Sequence, residues 1–141
     1  MQLFDPDPIV VLSSVKEILL VDWPNKSLPG NLILAGFTVF GYSPGKYTRV
    51  HVAADPANND FKLNFESLEE QPKHVDMVCI YRPDEEIEEI THKHVLPMHA
   101  KIMWIQPPAH SSVASELARK YDLSLVQNID LGDLASRFKR D

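Results

Sequence analysis

Short apolar runs recur along the chain, and few of them alternate with polar residues. "EILLV" (17–21), "FTVFGY" (37–42), "VDMVCIY" (75–81), "KIMWIQ" (101–106) and "LSLVQ" (123–127) are rich in β-branched or aromatic residues and apolar at successive positions. A strand with one wet face alternates. An unbroken run is the pattern of a strand covered on both faces, as in a parallel sheet. The intervals between the runs read as helices. "SLPGNLILAG" offers Ser27 as N-cap and Gly36 as a stop. "DEEIEEITHKHV" opens with acids and sets Ile87, Ile90 and Val95 near one face. "SSVASELARKY" has Ser111 or Ser112 as N-cap, and "LGDLASRFKR" ends in bases that suit a helix C-terminus. Strands alternating with helices predict right-handed βαβ units. The expected fold is α/β: a single doubly wound, Rossmann-like domain of about five parallel strands, with helices on both faces and the 17–21 strand central.

Two regions fit that rhythm less closely. "DPDPIVVLSS" predicts a short helix after Asp7-Pro8, so residues 1–13 form an N-terminal extension or short helix ahead of a domain over 14–141. The segment 44–63, "PGKYTRVHVAADPANNDFKL", is polar and turn-rich in its second half, with "RVHVA" as a short extra strand. There is no internal repeat.

Composition narrows the function classes. The 141 residues, 44% hydrophobic and 24% charged, describe an ordinary globular domain with enough chain to bury a core. The single cysteine, Cys79, sits inside an apolar strand and reads as a small buried hydrophobe. The N-terminus has acids and prolines where a signal peptide has bases, and no apolar run nears the roughly 20 residues of a membrane span. A cytoplasmic protein without a membrane partner is the expectation. A net charge of −6 argues against a nucleic-acid surface, which needs a basic face.

In an open α/β sheet, ligands bind at the carboxyl ends of the strands. Lys26 and Ser27 follow the first strand; Ser43, Gly45, Lys46, Arg49 and His51 follow the second; Arg82 follows the third. Bases gathered there in an acidic protein suit a small phosphate-bearing ligand, held by charge-assisted hydrogen bonds and helix N–H groups. Asp22, at the end of the first strand, opposes a diphosphate, with Lys26 as its expected counterweight. Two roles suit Trp23: stacking on an adenine, or capping the core with its N–H in water. Trp104 reads as core. His92 and His94 point to different faces of a helix and make poor joint metal ligands, so "THKHV" reads as a solvated helix end and no metal site is expected. No Ser-His-acid arrangement has a nucleophile turn, so no catalytic residue is expected.

The order "KEILLVDWP", "FTVFGYSPGK", "VDMVCIYRP", "KIMWIQPP" and "LSLVQN" resembles the coenzyme A-binding domain family, which includes small stand-alone members and the N-terminal domain of the succinyl-coenzyme A synthetase α subunit. The similarity covers roughly residues 14 to 130. "YSPGK" is similar to the synthetase turn whose lysine sits at the coenzyme A site, which implies a binding role for Ser43, Pro44, Gly45 and Lys46. "YRP" and "WIQ" are similar to strand ends of the small members, which implies the same for Tyr81, Arg82, Ile105 and Gln106. With Trp23, Asn25, Lys26, Ser27 and Arg49 these complete the candidate site. The chain departs from the family at the first turn, where Asp22-Trp23-Pro24 replaces a Gly-Ala-Ser or glycine-rich turn. Its first crossover is shorter, residues follow Lys46 as an insertion, and "QNIDLGDL" lacks the cysteine motif and Glu-His of the small members. The resemblance implies non-catalytic binding of coenzyme A or a related nucleotide. The alternative is a family member that has lost the ligand and acts as a protein-interaction or regulatory module, with a homo-oligomer or a protein partner as its setting.

Overall fold

The unbroken apolar runs form the middle of one sheet. The computed structural model describes residues 7–43 and 45–138. Among them the strands are β1 (Glu17–Val21), β2 (Thr38–Ser43), β3 (Lys46–Asp55), β4 (Asp60–Ser67), β5 (Met77–Ile80), β6 (Ile102–Ile105) and β7 (Ser124–Gln127). Their order across the sheet is β4-β3-β2-β1-β5-β6-β7. All five expected strands are present and parallel, β2-β1-β5-β6-β7, with β1 central in the whole row.

β1 shows why its sequence does not alternate. Ile18 and Leu20 enter one core with Leu12, Leu32, Trp104 and Leu131. Leu19 and Val21 enter the other with Ile80, Ile87, Met103 and Leu117. Each such side chain contributes about 1.5–3 kcal/mol on full burial. Helix α1 (Pro8–Ser13), capped by Asp7, and the packed pair α2 (Ser27–Leu34) and α5 (Leu131–Arg137) cover the first face. The pair α3 (Ile87–Ile90) and α4 (Ser112–Tyr121) covers the second, with Ser111 capping α4 through Ala114 N–H. Trp104 and Cys79 are fully buried, as expected. No helix among the described residues is long and apolar enough to cross a membrane.

The sheet departs from expectation in the 44–63 region. β3 and β4 form an antiparallel hairpin that extends the sheet beyond β2. "RVHVA" is only the middle of β3, and β4 begins inside the stretch expected to be turn-rich. Its Phe61, Leu63 and Phe65 alternate with polar residues, the pattern of a strand with one covered face. The helix expected over "DEEIEEITHKHV" is also irregular: a 3₁₀ turn (Asp84–Glu86), α3, then a π turn (Thr91–Val95). Buried Thr91 Oγ1 donates to the Ile87 carbonyl, 2.8 Å away, a back-bond of the kind that bends helices.

Candidate functional site

Strand order reverses between β1 and β5, because β1 leads to β2 on one side while β5 lies on the other. The residues that end these two strands meet there. Asp22 ends β1 with φ +64°, a left-handed conformation that favours glycine and that Asp tolerates through local hydrogen bonds. Its Oδ1 accepts from Trp23 N–H at 2.9 Å. Its Oδ2 accepts from Arg82 Nη1 at 2.9 Å, and Arg82 forks onto Glu86 through Nε (3.0 Å) and Nη2 (2.7 Å). The Glu86 and Asp22 bonds raise the Arg82 pKa further, and the Arg82 bond holds Glu86 below its ordinary value.

Beside this triad lies a cavity of about 190 Å³, walled by Tyr42, Gly45, Glu89, Lys93 and His94 as well as by the triad itself. Tyr42 faces Tyr47 across the β2–β3 pair, with ring centroids 4.7 Å apart, and the His94 ring lies 4.3 Å from Tyr42. The Tyr47 hydroxyl meets His94 Nδ1 at 2.5 Å. The Tyr42 oxygen accepts from Gly45 N–H and Lys93 Nζ, each at 3.3 Å. Burial, with Lys93 adding to it, lowers the His94 pKa to about 4; burial raises that of Tyr47 to about 12, helped by Tyr42. At neutral pH this corner is therefore an uncharged imidazole held by an intact phenol. A second hollow, about 370 Å³, shares Asp22 and Arg82 and adds Tyr81, Pro83, Pro108 and Ala109. A third, about 220 Å³, lies on the far side of the first turn, between Asn25, Ser27, Gln106, Asp130 and Asp133.

Six of the expected site residues are divided among these hollows. Gly45 (φ +88°) and Arg82 border the first, Tyr81 and Arg82 the second, and Asn25, Ser27 and Gln106 the third. Gln106 is buried, with Oε1 accepting from Leu131 N–H and Nε2 donating to Asp130. Trp23 is half-buried and stacks on Phe65 at 5.8 Å, so one face of its ring is already taken. Ser27 does not cap α2; Lys26 occupies the N-cap position, and Asn25 Oδ1 accepts from Ser27 N–H. Lys26 does not counterweight Asp22. It bonds Asp60 Oδ2 at 2.7 Å and the Phe61 carbonyl at 3.0 Å, and Arg82 answers Asp22 instead. Lys46 and Arg49 are exposed on opposite faces of the hairpin, because Arg49 stands opposite Phe40 while Lys46 is one position from Tyr47 on the other face. Ile105 is fully buried in the second core. Ser43 pairs with Lys46 at the end of β2, and Pro44 lies outside the described residues.

Sequence reasoning missed Tyr42, Tyr47 and Lys93. It also misread His94, which is 1% exposed rather than solvated. His94 continues the buried face of Ile87, Ile90 and Thr91, three, four and seven residues along one helix side, while His92 stays exposed against Tyr121. At the amino ends of β1 and β5, Glu17, His74 and Asp76 bring ligand atoms within 4.8 Å of one another, but the Asp76 oxygens already accept from Lys16 N–H, Glu17 N–H and His74.

Residues 24–129 match the model of a CoA binding domain. The chain belongs to the CoA-binding domain family. The match begins just after Trp23, so β1 and Asp22 fall outside it, where the chain departs from the family's first turn. No curated protein matches the sequence. Among solved structures, the family fold is similar to the Thermus thermophilus protein described as cell-free ID.343, with 16% identity, 91% of this chain and 93% of that chain covered and a TM-score of 0.64. It is also similar to a hypothetical protein from Pyrococcus horikoshii OT3, with 17% identity, 92% and 87% covered and a TM-score of 0.61. At these identities the likeness concerns the fold.

Proposed function

We propose that the protein binds coenzyme A, or a related phosphate-bearing nucleotide, at the carboxyl ends of its parallel strands, without catalysis of its own. The observation that carries this reading is the position of Arg82. It stands at the reversal point of a sheet of this family, between two hollows, with a guanidinium that needs only to exchange carboxylate oxygens for phosphate oxygens. Asp22 competes with the ligand for that fork. Its carboxylate also repels a diphosphate: two unit charges about 6 Å apart at an effective dielectric of about 20 interact by roughly 3 kcal/mol before screening.

Titration calorimetry with coenzyme A, acetyl-coenzyme A, ATP and NAD tests the reading. Coenzyme A binds the native protein. Arg82→Ala weakens it by about 1.5–3 kcal/mol, the range of a hydrogen bond to a charged group. Asp22→Gly tightens it, because the competing carboxylate is gone and glycine suits φ +64°. Silence of both the native protein and Asp22→Gly toward all four ligands overturns the proposal.

One observation favours a second reading, a member that has lost its ligand and serves as an interaction module. The two bases nearest the first turn are neutralised by the chain itself, Lys26 by Asp60 and Arg82 by Asp22 and Glu86. That reading predicts the silent titration, together with a self-association or partner complex in analytical ultracentrifugation.

A further inference from the structure

His94 is buried to 1% exposure and uses one ring nitrogen among the described residues. Taking the Tyr47 O–H, which has no other acceptor among the described residues, as the donor to Nδ1 puts the ring proton on Nε2. Every fully enclosed side-chain nitrogen or oxygen among the described residues has a partner. Nε2 has none there, so it opens into the cavity that the ring lines. The structure thus presents a neutral, oriented N–H donor with nothing to donate to. That is a standing cost that a ligand acceptor removes.

The rest of the wall restricts the acceptor. Glu86, Glu89 and Asp22 set three carboxylates against Arg82 and Lys93, so the cavity does not favour a further anion. Glu89 lines the same cavity and brings a carboxylate acceptor to it beside the His94 donor, and Val21 and Ile90 supply apolar wall. A secondary amide has one acceptor, one donor and alkyl on both sides. The volume, about 190 Å³, falls below the roughly 300–1,000 Å³ of pockets that enclose a whole drug-sized ligand, so it holds one part of a larger molecule.

We propose that this cavity binds an uncharged secondary amide, that of a pantetheine arm, with His94 Nε2–H donating to the amide carbonyl and Glu89 accepting from the amide N–H. The identity of the amide rests on the coenzyme A reading above; the donor and acceptor pattern does not. The phosphates then lie outside this cavity, on the Arg82 side, and the two parts of the ligand have separable determinants.

The test uses reduced pantetheine and adenosine 3′,5′-bisphosphate as the two halves of the ligand. His94→Asn keeps a group at the Nδ1 position for Tyr47 and removes the Nε2 donor; His94→Gln restores a donor near the Nε2 position. By titration calorimetry, His94→Asn weakens coenzyme A and pantetheine by roughly three- to tenfold, the loss of one neutral hydrogen bond, and leaves the bisphosphate unchanged. His94→Gln recovers part of the loss. In parallel, ¹⁵N NMR of the native protein follows the His94 ring, identified by its absence in His94→Asn, during titration with millimolar pantetheine. A shifted Nε2 resonance supports the inference. An unmoved ring overturns it, as does an effect of His94→Asn on the bisphosphate alone. A protein silent toward coenzyme A whose His94 ring still responds to pantetheine overturns the coenzyme A reading and leaves the amide site standing.

Discussion

Asp22 takes a left-handed backbone conformation that favours glycine, and its carboxylate accepts from Trp23 N–H and from Arg82. The turn is rebuilt around an internal anion. Part of this was legible: an acid at the end of β1 and a base at the end of β5 are both visible in the sequence. Their pairing was not, because Arg82 lies 60 residues away and only the register of β1 against β5 brings the two together. His94 was missed for a different reason: it continues the inward stripe of Ile87, Ile90 and Thr91, but an imidazole reads as polar and, beside His92, only as a metal partner. Its burial has a consequence for stability. The folded-state pKa is about 4, below the ordinary value of 6.5. Between these values the unfolded chain binds a proton that the folded chain refuses, so stability is intact above pH 6.5 and is lost as pH falls toward 4. Burial and Lys93 both oppose protonation, and the carboxylates of Glu86 and Glu89 line the same cavity. The expected loss is on the order of 2–3 kcal/mol over this window, because each tenfold difference in proton affinity between the folded and unfolded chain is worth about 1.4 kcal/mol. Urea denaturation from pH 7.5 to 4.5 measures it. His94→Asn flattens the slope; an unchanged slope in that variant removes His94 as the cause.

The β3–β4 hairpin governs how the first turn is used. Lys26, which sequence reasoning assigned to a ligand, is drawn off by Asp60 and Phe61 at the start of β4. Trp23 is covered by Phe65 of the same strand. β4 escaped notice because its alternating residues follow a turn-rich stretch, and strand character there emerges only through pairing with β3. The hairpin docks on α2 at Gly30, where an added Cβ would lie 2.3 Å from Phe61 Cζ and 2.5 Å from Cε2. No real side chain occupies such a space, so Gly30 exists to admit the ring. Helix propensity alone favours Gly30→Ala by about 1 kcal/mol. Overpacking reverses the sign, and the net expectation is a destabilisation of about 1–2 kcal/mol as Phe61 is displaced. In a Phe61→Ala background the clash is absent, so Gly30→Ala stabilises by up to about 1 kcal/mol. Equilibrium denaturation of the four proteins closes this double-mutant cycle. A Gly30→Ala effect of the same sign in both backgrounds shows that the hairpin does not press on α2.

The five parallel strands and the added hairpin make one sheet with two kinds of neighbour. β1, β5 and β6 are enclosed by strands on both sides and by helices on both faces, and the residues of β5 and β6 are buried throughout. These strands were the most legible, because burial on both faces leaves no polar positions to confuse the pattern. β4 has a partner on one side only and is mostly exposed. An amide in an enclosed strand exchanges its hydrogen only when the whole domain opens, while an edge strand opens by itself at lower free energy. Native-state hydrogen exchange is therefore expected to show the slowest amides in β1, β5 and β6, exchanging with the free energy of global unfolding, and distinctly faster ones in β4. Uniform protection across the sheet would mean that hairpin and core unfold as a single unit. The same measurement with saturating coenzyme A separates the two faces of the first turn. A ligand held through Arg82 adds local protection at residues 21–24 and 82–87, on the side of the first two hollows, and leaves β4 unaltered. Added protection concentrated instead in 60–67 and 25–31 would show that the ligand displaces Asp60 from Lys26 and lies beneath the hairpin, which would remove Arg82 as the anchor.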